Sequence, residues 1–147
     1  MSTKQNHGFT LIEMLLSVAV FGGILAIGAP LYSRFLSINN LNTTTTILVQ
    51  NLRHARNSAI SVDGDSPWGV HVASGVITVY KGASYATRDV SFDQVNNVPT
   101  EVTFSGDTEV AFKKFDGLPN SDTIFTLTNT NNQTTNININ TKGLIDF

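Results

Sequence analysis

The sequence contains no cysteine, few charged residues and few histidines. Without cysteine, the chain can form neither a disulfide framework nor a thiol site. Only 14% of the residues are charged and the net charge is −2. This balance argues against broad electrostatic capture of nucleic acid, which relies on clustered Lys and Arg. The histidines are His7, His54 and His71, and their spacing is not that of metal ligands, so no metal site is predicted.

Motifs for catalysis are also missing. Asp63-Gly64-Asp65 lacks the length and the distal glutamate of a calcium loop. Serines are frequent, but none lies in a glycine-flanked nucleophile elbow. We interpret His71 as an ordinary outward-facing strand residue. The sequence therefore predicts no enzymatic activity and no cofactor.

One long apolar run lies near the N-terminus. Between Phe9 and Ser33, Glu13 is the only charged residue. At ~1.5 Å rise per residue, a helix over Met14–Ser33 is long enough to cross a hydrocarbon core of ~30 Å. An ionisable side chain beside such a stretch costs on the order of a few kcal/mol in lipid. Glu13 therefore needs a partner or a function.

The residues around this run follow a specific order. Lys4 and His7 precede Gly8, Phe9 follows it, and Glu13 is the fifth residue after the glycine. This order resembles the class III signal peptide of type IV pilins and type II secretion pseudopilins. The resemblance implies that a prepilin peptidase cuts between Gly8 and Phe9 and that Phe9 is then N-methylated. It also implies that the apolar run stays in the mature protein.

The same resemblance gives Glu13 a role in assembly, because it matches the family's glutamate at the fifth mature position. There the carboxylate pairs with the N-terminal ammonium of a neighbouring subunit. Such a pair is strong only where water is excluded, and a mismatched register would leave the charge unpaired. We therefore expect Glu13 to set the axial stagger of a helical polymer.

Two other interpretations of the run remain open. One is a plain membrane anchor whose carboxylate lies at the headgroup boundary. The other is an ordinary secretory signal, which has an apolar region of roughly 7–15 residues and a small-residue cleavage site. The nearest cleavage candidate, Ala26-Ile27-Gly28-Ala29, has Ile27 where a small residue belongs. The secretory interpretation also leaves Glu13 unexplained.

The helical pattern continues beyond the apolar run. An apolar stripe with alternating spacings of four and three comprises Leu41, Thr45, Leu48, Leu52, Ala55 and Ala59. We expect this stripe to pack on the sheet that follows. The turn-rich segment Val62–Pro67 should end the helix, so the sequence predicts one helix from Phe9 to about Ile60. Gly22 and Pro30 weaken it, and they match the ends of the stretch that loses helical order in assembled type IV filaments. We therefore predict a hinge from Gly22 to Pro30.

From Pro67 onward the pattern changes to short alternating segments separated by turns. The sequence predicts strands at Trp68–Val72, Val76–Tyr80, Asp89–Asp93, Glu101–Phe104, Glu109–Phe112, Ile124–Thr128, Thr134–Asn140 and Leu144–Phe147. Strands without intervening helices imply an antiparallel sheet. The predicted fold class is therefore α+β, with a long N-terminal helix packed on a C-terminal antiparallel sheet domain, as in type IV pilins.

The region around the helix end resembles one branch of that family, the GspH/FimT minor pilins and pseudopilins. The element Ala55-Arg56-Asn57-Ser58-Ala59 matches the Ala-Arg-x-x-Ala pattern of that group. Some of its DNA-uptake members have a Gly-Arg-x-Arg pattern in the closing turn, where this chain has Lys142-Gly143-Leu144-Ile145-Asp146. The only other basic pair is Lys113-Lys114. Two lysines supply few phosphate contacts, which argues against nucleic acid as a partner.

These observations predict a subunit, minor rather than major, of a type IV pilus or type II secretion pseudopilus. The segments are a leader (1–8), a transmembrane and polymerisation helix (9–33), its amphipathic continuation (34–62) and a sheet domain (67–147). The resemblance implies as partners a prepilin peptidase, other pilin or pseudopilin subunits, an inner-membrane assembly platform and membrane lipid. It places the chain in the bacterial inner membrane before assembly and in a periplasmic or extracellular filament afterwards. The alternatives are a DNA-binding minor pilin and a monomeric membrane-anchored domain.

Overall fold

The computed structural model describes residues 9–147, with the backbone alone for residues 27–29. A single long helix, α1 (Leu11–Ile60), precedes the strands. The chain divides after Leu36 into two compact units, the second of which is Ser37–Phe147. The predicted α+β class, a long apolar N-terminal helix followed by antiparallel sheet structure, is confirmed.

The strands form two antiparallel sheets of four strands each, where the sequence predicted one sheet. In chain order they are β1 (Trp68–Ala73), β2 (Val76–Lys81), β3 (Asp89–Asn97), β4 (Thr103–Gly106), β5 (Glu109–Phe112), β6 (Thr123–Thr128), β7 (Thr134–Ile139) and β8 (Ile145–Asp146). The sheet orders are β3-β2-β1-β5 and β4-β6-β7-β8. Alternation of apolar residues marks each strand but does not say which strands pair, so the sequence could not separate the two sheets.

The second part of α1 packs on the core through the predicted stripe. Leu48, Leu52, Ala55 and Ala59 are fully buried, and Leu41 and Thr45 nearly so. The apolar members of the stripe join one cluster that also contains Val70, Val79, Phe112, Phe125, Leu127, Ile137 and Ile139, from both sheets. The helix therefore supplies part of the core of the second unit, as the spacing predicted.

Threonines are common in the middle of α1 although they are weak helix formers. Thr44, Thr45 and Thr46 each donate a side-chain hydrogen bond to the carbonyl four residues earlier, at 2.8–2.9 Å. These bonds satisfy hydroxyls that would otherwise be costly to bury, since Thr44 and Thr45 are both buried. The polar run is thereby accommodated in a helix that faces an apolar core.

The helix ends at Ile60, as predicted, and a tight turn leads to the sheets. Val62, Gly64 and Asp65 have positive φ in this turn, and the indole Nε1 of Trp68 donates to the Asp63 carbonyl at 2.9 Å. Trp68 then begins β1 with its side chain buried. The turn-residue signal therefore located both the helix end and the start of the first strand.

Gly69 lies in β1 where no larger residue fits. A Cβ there would collide with the Tyr80 ring and lie 2.6 Å from the Val110 carbonyl oxygen. Gly69 faces Tyr80 on β2 and Ala111 on β5, so the position is central in its sheet. The fully buried Tyr80 side chain fills the space that the missing side chain leaves.

Candidate assembly site at the N-terminal helix

The helix begins two residues later than the sequence predicted, at Leu11 instead of Phe9. The reason is an N-terminal cap. Glu13 Oε2 accepts hydrogen bonds from the Thr10 backbone N–H at 2.8 Å and from the Thr10 hydroxyl at 2.7 Å. The Glu13 N–H donates in return to Thr10 Oγ1 at 3.3 Å. These reciprocal bonds form a capping box with Thr10 as the N-cap, so the helix starts at Leu11.

The capping role of Glu13 was missed by the sequence analysis, although the signal was present. Thr10-Leu11-Ile12-Glu13 is the Ser/Thr-x-x-Glu pattern that precedes an apolar helix. The carboxylate therefore has a local partner in addition to any partner outside the chain. Both Thr10 groups donate to the Oε2 atom of Glu13. The Oε1 atom accepts neither of these two hydrogen bonds.

The first part of α1 is apolar on every side, and its described side chains are not covered by other described residues. The described side chains of residues 9–36 are all exposed, including Leu11 at 79% and Phe21 at 67%. By length and composition this helix could cross a membrane, and none of its most apolar window is buried. Apolar surface on this scale requires lipid or protein around it, since monomeric soluble proteins rarely expose it.

Gly22 and Pro30 both lie inside α1, which is continuous across the predicted hinge. A Cβ added at Gly22 or at Gly23 would have no atom within 4 Å, so packing within the chain does not require glycine there. Pro30 has no N–H to donate to the carbonyl of Ala26, which weakens the helix at that point. The hinge concerns a change on assembly and stays a prediction.

Gly8 and the rest of the leader (residues 1–8), with His7 and Lys4, lie outside the described residues. Phe9, the predicted new N-terminus, is 90% exposed and precedes the cap. Cleavage between Gly8 and Phe9 stays a prediction.

The predicted basic residues of the folded unit lie in two places. Lys114 Nζ forms an ion pair with Asp65 at 2.8 Å and lies 4.7 Å from the centroid of the Phe115 ring. This pairing holds the pKa of Asp65 below its usual value. Lys113 beside it is exposed. Lys142 instead lines a cavity together with two arginines of α1. The sequence did not predict that these three residues lie together.

Those two arginines are Arg53 and Arg56. Their spacing of three places them on neighbouring positions of one helix surface, a signal that could have associated them from the sequence. What the sequence could not supply is the closing turn between β7 and β8, which brings Lys142 to the same cavity. The structure therefore gathers three of the chain's nine Lys and Arg residues around one cavity.

Within the described part of the chain, the histidines are His54 and His71, and they do not form a catalytic arrangement with each other. His54 is exposed on α1, and His71 is half-buried with its ring stacked on Tyr85 at a centroid distance of 3.8 Å. Arg88 packs on the Tyr85 ring at 3.7 Å from its centroid. Burial lowers the pKa of His71, an effect that the Glu109 carboxylate partly opposes. Among residues 9–147, no group of three or more His, Cys, Asp or Glu side chains could hold a metal ion.

A long apolar helix whose start is capped by a glutamate, followed by antiparallel sheets, is a pilin-like arrangement. Residues 3–29 match the family described as the prokaryotic N-terminal methylation motif. The N-terminus is therefore that of a type IV pilin-like protein, and the match covers the leader and the first part of α1. No curated protein and no solved structure is significantly similar to the chain.

The methylation motif implies processing by a prepilin peptidase and assembly with other pilins. Proteins with this N-terminus are structural rather than enzymatic. The apolar helix and the motif are together consistent with membrane anchoring followed by assembly into a filament. The folded unit, which begins at Ser37, lies beyond the matched residues.

Proposed function

We propose that the chain is a minor structural subunit of a type IV pilus or type II secretion pseudopilus. The observation that carries this proposal is the first part of α1, which is apolar all round, exposed, and has Glu13 at its start as its only charge before Arg34. In the mature subunit this segment lies in lipid before assembly and among neighbouring helices afterwards. The folded unit then faces the outside of the filament.

The leader (1–8) is removed between Gly8 and Phe9, and Phe9 is N-methylated. The segment 9–33 anchors and polymerises the subunit, 34–62 continues the helix, and 67–147 forms the sheet domain. The partners are the prepilin peptidase, other pilin or pseudopilin subunits, the inner-membrane assembly platform and lipid. Gly22 and Pro30 allow the helix to extend between them as the subunit enters the filament.

Glu13 performs two functions in this proposal. Its Oε2 atom caps α1 through Thr10, and its Oε1 atom accepts the N-terminal ammonium of a neighbouring subunit. The cap fixes the carboxylate at the helix start, so the second oxygen is already oriented when the neighbour arrives. In a site without water, this pair is strong enough to favour one register over its alternatives.

Membership of the GspH/FimT group is supported by the helix end. Ala55 and Ala59 are fully buried and allow close packing of α1 on the core. Arg56 between them is half-buried and its Nε donates to the Gly117 carbonyl at 3.2 Å. The Ala-Arg-x-x-Ala pattern therefore has a packing role and a polar role in this chain.

Incorporation into filaments tests the proposal. Full-length chain with a C-terminal tag is produced in cells with a pilus or secretion system, and sheared filaments are assayed against the membrane fraction. We expect tagged chain in the filaments at a small fraction of the major subunit. Its absence there, with normal amounts in the membrane, would instead indicate the monomeric anchored domain.

DNA capture is a second candidate, favoured by the cavity that Arg53, Arg56 and Lys142 line. Three cations supply few phosphate contacts, so binding should be weak and salt-sensitive. A gel-shift titration at ~150 mM salt tests it, because specific DNA binders remain tight there. Submicromolar, length-dependent affinity would favour a DNA-uptake subunit, with Lys142 and the Lys113-Lys114 pair the first residues to replace along with the arginines.

A further inference from the structure

A cavity of about 280 Å³ lies in the folded unit between α1 and the closing turn that joins β7 to β8. It is lined by Arg53, Arg56, Lys142, Gly143, Leu144 and Ile145. Three of these residues are cations and none is an acid. The volume is close to the lower limit of small-molecule sites, roughly 300 Å³, so the cavity suits one small group.

The guanidinium of Arg56 is held in place by two glycine turns. Its Nε donates to the carbonyl of Gly117 at 3.2 Å. Gly143 packs on its other side, where a Cβ would lie 2.8 Å from Nε and 3.2 Å from both Cζ and Nη2. Both glycines have positive φ, 62° and 75°, so each turn has a backbone that favours glycine. The guanidinium can approach the closing turn because Gly143 has no side chain.

The closing turn is itself well defined. The side-chain oxygen of Asn140 accepts hydrogen bonds from the N–H groups of Lys142 and Leu144, both at 3.0 Å. The Gly143 N–H donates to the Asn140 carbonyl at 2.8 Å. These bonds fix the backbone from which Lys142, one of the residues that line the cavity, projects.

The cations of the cavity have no acid partner within residues 9–147. The ion pairs of that part of the chain are Arg88 with Asp93 and Lys114 with Asp65, on other surfaces. Arg56 uses Nε for Gly117, which leaves its two Nη groups without a hydrogen-bond acceptor among the described residues. Arg53 contacts the Phe147 ring, with Cζ 5.9 Å from the ring centroid.

We propose that this cavity binds a single phosphate-type oxyanion. The planar fork of Arg56 would donate to two of its oxygens, while Arg53 and Lys142 supply charge from the two sides. Arginine suits this role because its rigid donors match phosphate geometry, and a fixed fork loses little entropy on binding. The phosphate could be free inorganic phosphate or one group of a polynucleotide strand, and both use the same chemistry. This proposal does not rest on filament assembly, because all the residues that line the cavity belong to the folded unit.

The test uses the full chain in a maltoside detergent, which has no phosphate headgroup. Inorganic phosphate is titrated at constant ionic strength while NMR follows the backbone amides of Gly143 and Leu144. We expect saturable shifts with a Kd on the order of millimolar. Arg53→Ala and Lys142→Ala should each weaken binding by about threefold to tenfold, as expected for partly exposed charge-assisted contacts.

Arg56→Lys keeps the charge but removes the fork, and it should weaken binding by about tenfold or more. If this variant disturbs the glycine turns, the two exposed variants, Arg53→Ala and Lys142→Ala, still decide the question. The matched control is Lys113→Ala, which changes the net charge equally at an exposed position outside the cavity. Shifts that do not saturate, or an equal loss with Lys113→Ala, would overturn the proposal.

A parallel titration with single-stranded oligonucleotides of increasing length identifies the source of the phosphate. If the affinity per phosphate does not depend on the length of the oligonucleotide, the cavity binds free phosphate. Affinity that rises with length and is lost in Arg53→Ala and Lys142→Ala indicates a strand. Length-dependent binding that survives both substitutions would contradict the assignment of a strand phosphate to this cavity.

Discussion

Leu25 and Leu52 belong to the same helix and have opposite environments. Leu25 is 72% exposed, whereas Leu52 is fully buried. The difference extends to the two units, because the described side chains of residues 9–36 are exposed while the unit from Ser37 onward has a closed apolar core. The second unit obtains its cover from its own sheets. The exposed apolar surface of the first unit is instead consistent with cover by lipid or by other subunits.

The largest effect should come from Gly8→Ala, which replaces the residue predicted to lie immediately before the cleavage site. Glycine has no Cβ and allows the backbone to approach a peptidase closely. We expect maturation to be largely blocked, with residues 1–8 retained in the protein recovered from peptidase-competent cells. Intact-mass measurement checks this, with Gly23→Ala as the control. Normal removal of the leader from the Gly8 variant would contradict the prediction.

The second largest effect should come from Glu13, and a matched pair of variants can separate its capping role from its proposed role in assembly. Glu13→Leu removes the cap and also the proposed partner of an incoming ammonium, and we expect it to leave membrane insertion intact because the anchor becomes more apolar. Thr10→Val removes the hydroxyl bonds and keeps the carboxylate. We expect normal membrane levels for both and strongly reduced filament incorporation for Glu13→Leu alone.

Sheared filaments and membrane fractions, assayed together, check the Glu13 prediction. Equal losses in the Thr10 and Glu13 variants would mean that the cap is the whole role of the glutamate. Wild-type incorporation of Glu13→Leu would refute the register-setting function.

Leu52→Ala and Leu25→Ala test the comparison directly. Truncation at the buried position should lower the free energy of unfolding by about 2–5 kcal/mol, since it leaves a cavity in a packed core. Truncation at Leu25 should leave that free energy unchanged, because this side chain is 72% exposed in the described part of the chain. Urea unfolding in detergent, followed by the fluorescence of Trp68, the chain's one tryptophan, gives both values. A loss at Leu25 as large as that at Leu52 would contradict the prediction.

Substitution of two glycines, Gly69 and Gly22, should change stability by an intermediate amount. Gly69→Ala should destabilise the folded unit by about 1–3 kcal/mol, because its Cβ would collide with the Tyr80 ring and approach the Val110 carbonyl. Gly22→Ala meets open space and should stabilise α1 by up to about 1 kcal/mol. Thermal unfolding by circular dichroism checks the signs, which should be opposite. Destabilisation by Gly22→Ala would contradict this account.

The smallest effect concerns pH and His71. Burial lowers the pKa of this histidine from its ordinary value of 6.5, so the unfolded chain takes up a proton at a higher pH than the folded one. Stability should therefore decrease as pH falls below about 6.5 and level off below the folded pKa. Asp65 affects stability in a lower range, because its pKa lies below 3.8.

Urea unfolding at several pH values between about 5.5 and 7.5 measures the effect of His71, since a histidine titrates in this range. His71→Gln should reduce the slope, whereas His54→Gln, an exposed position on the same unit, should retain it. An unchanged slope in His71→Gln would exclude this histidine as its cause.

Local patterns in the sequence predicted much of the second unit. The stripe from Leu41 to Ala59 is buried as its spacing required, and β5 has the predicted bounds, Glu109–Phe112. The division into two sheets could not be predicted, because β4 pairs with β6 instead of a strand next to it in sequence. Pairing between distant strands depends on the packing of the whole core.

The sequence predicted less of the candidate sites than of the fold. The resemblance identified Glu13, but the capping bonds with Thr10 were missed although their pattern was visible. The cavity around Arg56 could not be predicted, because it requires the turns at Gly117 and Gly143 to converge on one guanidinium. Residues 61 positions apart form the Arg56 to Gly117 bond, and no local pattern encodes such a contact.

The most direct test of the account is the intact mass of the chain recovered from sheared filaments of peptidase-competent cells. We expect a chain that begins at Phe9 and has one added methyl group. In the same cells without the peptidase, we expect the chain to retain residues 1–8 and to stay in the membrane fraction. A chain that enters filaments with its leader attached, or one that is processed but never leaves the membrane, would contradict the proposal that this N-terminus is both matured and assembled.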